Sequence, residues 1–474
     1  MSAPNPYRRL GVERIAAGDV AGALAPLRTA HLLDPDDGDL RRVLVQALYV
    51  VGEQARLAGQ PEEARAHLAE AAALAPDDAA AWNSLGLCHL ALGTAADAAA
   101  CFRRALAEKA LEAAIHSNLG NALVRLCDMD GAEDAYARAL ALAPGNPEFR
   151  YNRALHLLRR GRLAEGWTAF AARLERPGRM PPCPGPLWDG SDPAGRTIAV
   201  WSEQGLGDEL MFGTCIPDLV ARAGRVIWEC HPKLALLLAG ALPRVTVVAR
   251  PADAETARTP EARFPWARAT GPVDGWIGCA GLPAFFRATP DTFAGSGGYL
   301  FASPARRRQA AEWLAALPRP RIGLCWRSSM TGAKRDLTYA RADELAAVVA
   351  GSGASPVLLQ AHATADELAA LGMPVAAMPG LDLFNDLDGL AGLIAELDLV
   401  ISAATSVAEL AGALGVPVWR FGPQSDWTLL GATDGRRPWF SSMRVFTRPD
   451  CETGWSAPFA AMAEALRDSS WLPR

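Results

Sequence analysis

Along the first third of the chain, a large apolar residue followed by a small one recurs at a regular interval, and each such pair is answered further on by a small-large-small set. Leu10-Gly11 is answered by Ala23, Leu27 and Ala30, and Leu85-Gly86 by Ala98, Phe102 and Ala105. This is the pattern of antiparallel helix pairs, in which a small residue at the crossing lets the axes approach. After Arg196 the pattern changes to short apolar or β-branched runs separated by amphipathic stretches, which predicts parallel strands alternating with helices. TIAVW, RVIWEC, VTVVA and VDGWIG form one series of expected strands, and RIGLCW, PVLLQ, LDLVIS and PVWRFG a second. Between the two regimes lies LERPGRMPPCPGPLWDGSDPAG, whose prolines and glycines cannot extend a helix. The expected organisation is a helical domain over 1–175, a linker over 176–195 with Trp188 docking it on the next domain, and two α/β halves over 196–318 and 319–474.

The helical interval identifies the repeat. Leu85, Gly86, Ala98, Phe102 and Ala105 recur 34 residues on as Leu119, Gly120, Ala132, Tyr136 and Ala139, the period and spacing of a tetratricopeptide repeat. Gly52, Ala64, Leu68 and Ala71 make an earlier unit, and Pro35, Pro76 and Pro144 stand at the closing turns. The step from Pro35 to Pro76 is 41 residues, so the second repeat should carry about two extra helical turns. A fifth, degraded unit runs through Tyr151, Ala154, Gly161, Gly166 and Phe170, with Arg173 where a small residue belongs, as suits a terminal repeat facing a different neighbour.

Composition narrows the function by exclusion. At 474 residues the chain is too long for one core. A net charge of -5 with acids and bases interspersed offers no basic stripe, so nucleic acid is not an expected partner. The N-terminal stretch has no apolar signal region and no run is long enough to cross a bilayer, so a cytoplasmic location without membrane insertion is expected. Nine cysteines without a CxxC pair read as reduced, structural thiols, and the five histidines of the repeats (His31, His67, His89, His116, His156) lack metal spacing.

Two α/β halves in series leave a cleft between the carboxyl ends of their strands, where ligands bind in such folds. Three segments are placed to line it. Glu203-Gln204-Gly205-Leu206-Gly207-Asp208-Glu209 follows a strand and opens a helix; Gly205 and Gly207 would let the backbone approach a ligand, and the helix start would favour an anion. It lacks the GxGxxG spacing and the Walker lysine, and Asp208 also suits a helix cap. In the segment from Ser402 to Pro417, Thr405 and Ser406 at a helix start would hold phosphate oxygens, and Glu409 would accept from ribose hydroxyls. Arg327-Ser328-Ser329-Met330-Thr331-Gly332-Ala333-Lys334-Arg335 reads as a basic loop whose Arg327, Lys334 or Arg335 would offset the charge of a leaving phosphate; an ordinary solvated loop explains it as well. Asp386-Leu387-Asp388 has the spacing of a metal-binding acid pair but opens an apolar-periodic helix, where aspartates cap.

Together with PLWDG at Pro186 to Gly190, CWRSS at Cys325 to Ser329 and the segment Pro379 to Ser402, these features resemble bacterial tetratricopeptide-repeat proteins with a GT-B-type glycosyltransferase domain. That group is related to the heptosyltransferases and, more distantly, to the O-GlcNAc transferases. The resemblance implies an α-helical repeat solenoid followed by an α/β GT-B module of two Rossmann-like domains. It implies Asp208 as the catalytic base of an inverting, metal-independent transfer, with a nucleotide-activated sugar as co-substrate and no cofactor. Where heptosyltransferases have an Asp-Thr pair and then a histidine, this chain has Ala404-Thr405 and Glu409; Thr405, Ser406 and Glu409 fit the O-GlcNAc transferase pattern more closely. Within the group the chain looks closest to the flagellin-modifying branch, which implies flagellin as a protein acceptor held by the repeats and a nonulosonic acid, such as pseudaminic acid, as the sugar. Two other readings remain open: a non-catalytic adaptor with a degenerate transferase module, and a transferase of lipopolysaccharide or other glycan assembly.

Overall fold

A computed structural model describes residues 5–293, 297–329, 338–450, 452 and 454–468. Ten helices occupy the N-terminal region in antiparallel pairs: α1 (Pro6–Ala16) with α2 (Val20–Leu33), α3 (Gly38–Leu57) with α4 (Pro61–Leu74), α5 (Ala79–Ala91) with α6 (Ala95–Glu108), α7 (Ala113–Arg125) with α8 (Met129–Leu142), then α9 (Pro147–Arg159) and α10 (Leu163–Phe170). The small residue in the first helix of each pair meets the large residue 16 positions on. A Cβ added at Gly11, Gly52, Gly86 or Gly120 would stand 2.6, 2.7, 2.6 or 2.7 Å from Leu27, Leu68, Phe102 or Tyr136 respectively. The glycine is therefore the seat of the partner side chain, which explains why the pattern repeats with such fidelity. The extra residues of the second repeat lie in α3, which has 20 residues against 13 in α5 and α7.

The chain divides at Arg153/Ala154 into two compact units, inside α9 and ahead of the Pro/Gly-rich linker. The second unit holds two sheets. In the first, β1 (Thr197–Trp201), β2 (Arg225–Cys230), β3 (Val245–Ala249) and β4 (Gly275–Gly278) lie in the order β3-β2-β1-β4, all parallel. In the second, β5 (Arg321–Cys325), β6 (Ser355–Leu358), β7 (Leu399–Ala403), β8 (Val418–Pro423), β9 (Arg436–Arg437) and β10 (Phe440–Arg448) lie in the order β6-β5-β7-β8-β10-β9, parallel except for the β10–β9 edge pair. Each order reverses direction at its first strand, which sets a ligand crevice outside the carboxyl ends of β1/β4 and of β5/β7. The architecture is thus a tetratricopeptide-repeat solenoid followed by a GT-B-type α/β module of two Rossmann-like domains.

All eight expected strands form, whereas β9 and β10 were not anticipated. Met443, Val445 and their polar neighbours alternate with period two, a usable signal masked by its position just after Gly435 and the two-residue strand Arg436–Arg437. Trp188 docks the linker as expected. Its amide donates to the Trp276 carbonyl at 2.8 Å and its ring lies 4.9 Å from Phe285, so the linker adds to the edge of β4. The division between halves comes earlier than residue 318: Leu300 N donates to Ala413 O, and the helix Pro304–Leu314 packs on the helix Leu387–Ile394, with Arg307 paired to Glu396. That helix presents basic residues to the acids of the second half, and this charge match places it there. Six of the eight described cysteines are buried.

Candidate functional site

The turn after β1 is clamped before it reaches its glycines. Glu203 accepts from Arg173 at both oxygens, Nε to Oε2 at 3.0 Å and Nη2 to Oε1 at 2.7 Å, and from the Ala280 amide at 3.1 Å. Gln204 then takes a left-handed backbone, φ 66°, so the residue in the conformation that glycine favours is not itself a glycine. Gly205 caps α11 (Leu206–Phe212), and the Asp208 carboxylate returns to accept from the Gly205 amide at 3.2 Å. Asp208 is half-buried, and burial pushes its carboxyl up to about 6, opposed by the Gly205 amide and reinforced by the nearby Glu409 charge. Its Oδ1 makes no hydrogen bond among the described residues. The next residue, Glu209, turns inward to accept from Ser202 Oγ at 2.8 Å and from the His231 amide at 3.0 Å, and burial raises its carboxyl to about 7.

Gly207 faces the other half. A Cβ there would lie 3.4 Å from Glu409 Cγ and 3.6 Å from Ser406 Cα. This glycine therefore permits contact between α11 and the helix Ser406–Ala413, and it brings the Asp208 turn and the Thr405-Ser406 helix start to one place. Ser406 is half-buried, and no hydrogen bond holds its hydroxyl among the described residues. Thr405 is turned inward as the N-cap: its Oγ1 accepts from Val407 N at 3.3 Å and sits 3.1 Å from Ser402 Oγ.

Two expected contacts are placed differently. Glu409 is 6% exposed, its Oε2 bonds Arg437 Nη1, and Arg420 lies 3.9 Å from its Oε1, so the carboxylate expected at a ribose is engaged within the protein. The cause is two buried arginines that need counter-charges. Arg437 also meets Thr428 Oγ1, and Arg420 bonds Asp426; although burial pushes the Asp426 carboxyl up, Arg420 and Arg437 together hold it below the ordinary carboxylate range. Arg327 forks onto Glu367 at 2.5 and 2.6 Å and holds it at about 2, so its guanidinium faces the helix Ala365–Ala370. Lys334 and Arg335 lie outside the described residues. Asp386 caps the helix Leu387–Ile394 through Gly389 N at 2.9 Å and pairs with Arg306 at 3.0 Å, while Asp388 also faces Arg306.

The sequence reading missed Arg420, Asp426 and Arg437, which come from β8, the turn after it and β9 and meet only in the folded chain. It also gave no partner to Arg173, noted only as a departure from the repeat pattern.

Residues 52–113 and 117–179 match the tetratricopeptide-repeat family model. Over nearly the whole length, the chain is similar to Protein FlbA of Caulobacter vibrioides, at 29% identity over 513 aligned positions that cover 97% of this chain and 83% of that protein. Among solved structures, it is similar to a glycosyl transferase of family 9 from Veillonella parvula, at 14% identity and a TM-score of 0.44 over 58% of this chain and 98% of that one. It is also similar to a mutant O-GlcNAc transferase of Thermobaculum terrenum, at 15% identity and a TM-score of 0.35 over 91% and 93%.

Proposed function

We propose that the chain is a glycosyltransferase that moves a sugar from a nucleotide-activated donor to a serine or threonine of a protein acceptor. The observation that carries this reading is the meeting of the Asp208 turn with the Ser406 helix start, through Gly207, at the carboxyl ends of two sheets. Asp208 has a free oxygen and an affinity for protons near neutrality, which suits a general base. In the proposed step the acceptor hydroxyl oxygen attacks the anomeric carbon and its proton passes to Asp208. The bond from that carbon to the donor phosphate breaks, and its electron pair leaves with the nucleotide. The amides and hydroxyl at Ser406 receive the departing charge. Displacement from the opposite face inverts the anomeric centre and uses no metal.

The repeats supply the acceptor-holding surface, since a helical solenoid suits an extended or helical polypeptide. The resemblance to the flagellin-modifying branch supports flagellin as acceptor, a nonulosonic acid as sugar and the cytoplasm as the place of action. Among the described residues no helix is long and apolar enough to cross a membrane. A second reading, a ligand-binding adaptor without catalysis, draws on the engagement of Glu409 and Arg327 by internal partners.

One experiment separates the two. Purified chain, candidate acceptor and nucleotide-activated sugar should give a glycosylated acceptor by intact mass spectrometry. Asp208→Asn should lower turnover by about a hundred- to ten-thousand-fold with nucleotide affinity nearly unchanged, and full turnover in that variant would remove Asp208 from the mechanism.

A further inference from the structure

In the tetratricopeptide pattern the position of Arg173 takes a small residue, because two helices cross there. In this chain the side chain at 173 leaves the repeat altogether. It is 6% exposed, its guanidinium stacks 4.8 Å from the Phe170 ring, and its fork closes on Glu203, whose own side chain is nearly as deeply buried. Glu203 is the first residue of the turn that ends in Asp208, and its third donor, Ala280 N, belongs to the turn after β4. A single carboxylate therefore ties the end of the repeat region to the carboxyl ends of β1 and β4. The site is also closed to alternatives: a Cβ at Gly278 would fall 2.0 Å from Glu203 Oε1, so only glycine there leaves room for the carboxylate. Immediately beyond the clamp, Gln204 holds its left-handed backbone, a conformation that persists for a side-chain-bearing residue where its surroundings impose it.

We infer that Arg173 and Glu203 are positioning residues of the proposed transfer: the 3-10 turn Ala171–Leu174 that follows the last repeat helix, through this bidentate pair, sets the turn that presents Asp208 to the acceptor. The inference rests on the transferase reading for its chemical consequence but not for its geometry. Neither side chain faces the reacting atoms; both act through the backbone of 203–208. A fork–fork pair fixes orientation as well as distance, so lysine at 173 is not equivalent to arginine.

The test uses the full chain with Arg173→Met, which keeps the apolar stem on Phe170, Glu203→Gln, which keeps the acceptor for Ala280 N, and the double variant. Hydrogen exchange read by mass spectrometry should speed up in the peptide covering 203–209 in either variant, with peptides of β7 and the helix Ser406–Ala413 unchanged. In the transfer assay kcat should fall roughly ten- to a hundred-fold, the scale for a misplaced reacting group, with the KM for donor moving by less than about threefold. The double variant should be no worse than the worse single, because the pair acts as a unit. A loosened turn admits water to Asp208, so the acid limb of the kcat/KM profile should move to lower pH, a change that simple loss of folded protein does not produce. Arg173→Lys should recover part of kcat. Faster exchange at 203–209 in a protein whose unaltered form transfers no sugar would keep the clamp and remove the transferase reading. Unchanged exchange in that peptide, or an unchanged kcat and acid limb in an active enzyme, would overturn the inference.

Discussion

Replacing Glu409 by glutamine decides between two uses of that carboxylate. If it exists to bind a ribose, Glu409→Gln weakens nucleotide binding and leaves the apo protein as stable as before. The structure argues otherwise: Glu409 is 6% and Arg437 2% exposed, one carboxylate oxygen bonds Arg437, and the other lies 3.9 Å from Arg420, itself 4% exposed. Removing the charge leaves Arg437 hydrogen-bonded to Thr428 Oγ1 and two methionine sulfurs, with Asp426, already bonded to Arg420, as the nearby anion. Breaking a buried pair from one side costs about 3–5 kcal/mol, whereas replacing both partners with apolar groups is often close to neutral. Glu409→Gln should therefore lower the stability of the second unit by about 3–5 kcal/mol, and Glu409→Leu/Arg437→Met should recover most of that loss. Urea denaturation followed by tryptophan fluorescence reads chiefly this unit, because of the fourteen tryptophans only Trp82 lies in the first unit. A Glu409→Gln protein within about 1 kcal/mol of the unaltered chain would refute the ion-pair assignment and return Glu409 to the ligand.

Three further outcomes are expected. Gly120→Leu should destabilise the repeats by about 1–3 kcal/mol through overpacking, since even a Cβ meets Tyr136 Cε1 at 2.7 Å, and adding Tyr136→Ala should relieve it; thermal unfolding by circular dichroism measures both. Burial holds Glu209, 1% exposed, at about 7, so the stability this group contributes is full below its unfolded value near 4.5 and is lost as pH rises through about 7; Glu209→Gln should flatten that segment of the stability–pH curve. A chain beginning at residue 176 should aggregate while one beginning near residue 147 stays monodisperse by light scattering. Trp167 and Phe170 pack on Trp427 and Trp439, with Trp167 Nε1 donating to Arg287 O at 2.8 Å, and their removal bares that cluster.

The sequence alone was sufficient for the repeats and eight strands, because each depends on periodicity within a short window: a glycine and the large residue 16 positions on, or a run of β-branched residues ending at a turn. It also pointed to both turns that meet at the site, since a glycine-bearing segment between strand and helix is a local signal. Only the tertiary structure decided what each side chain there faces. Glu409 and Arg327 look in sequence like ligands for a nucleotide, but a buried or half-buried charge takes the strongest partner within reach, and those partners, Arg437 and Glu367, stand 28 and 40 residues away. The same holds for Arg173, whose mismatch with the repeat was visible while its partner in the turn after β1 was not. Spacing carries the backbone path, whereas ion pairing is settled by which charges the packed sheets and helices leave together out of water.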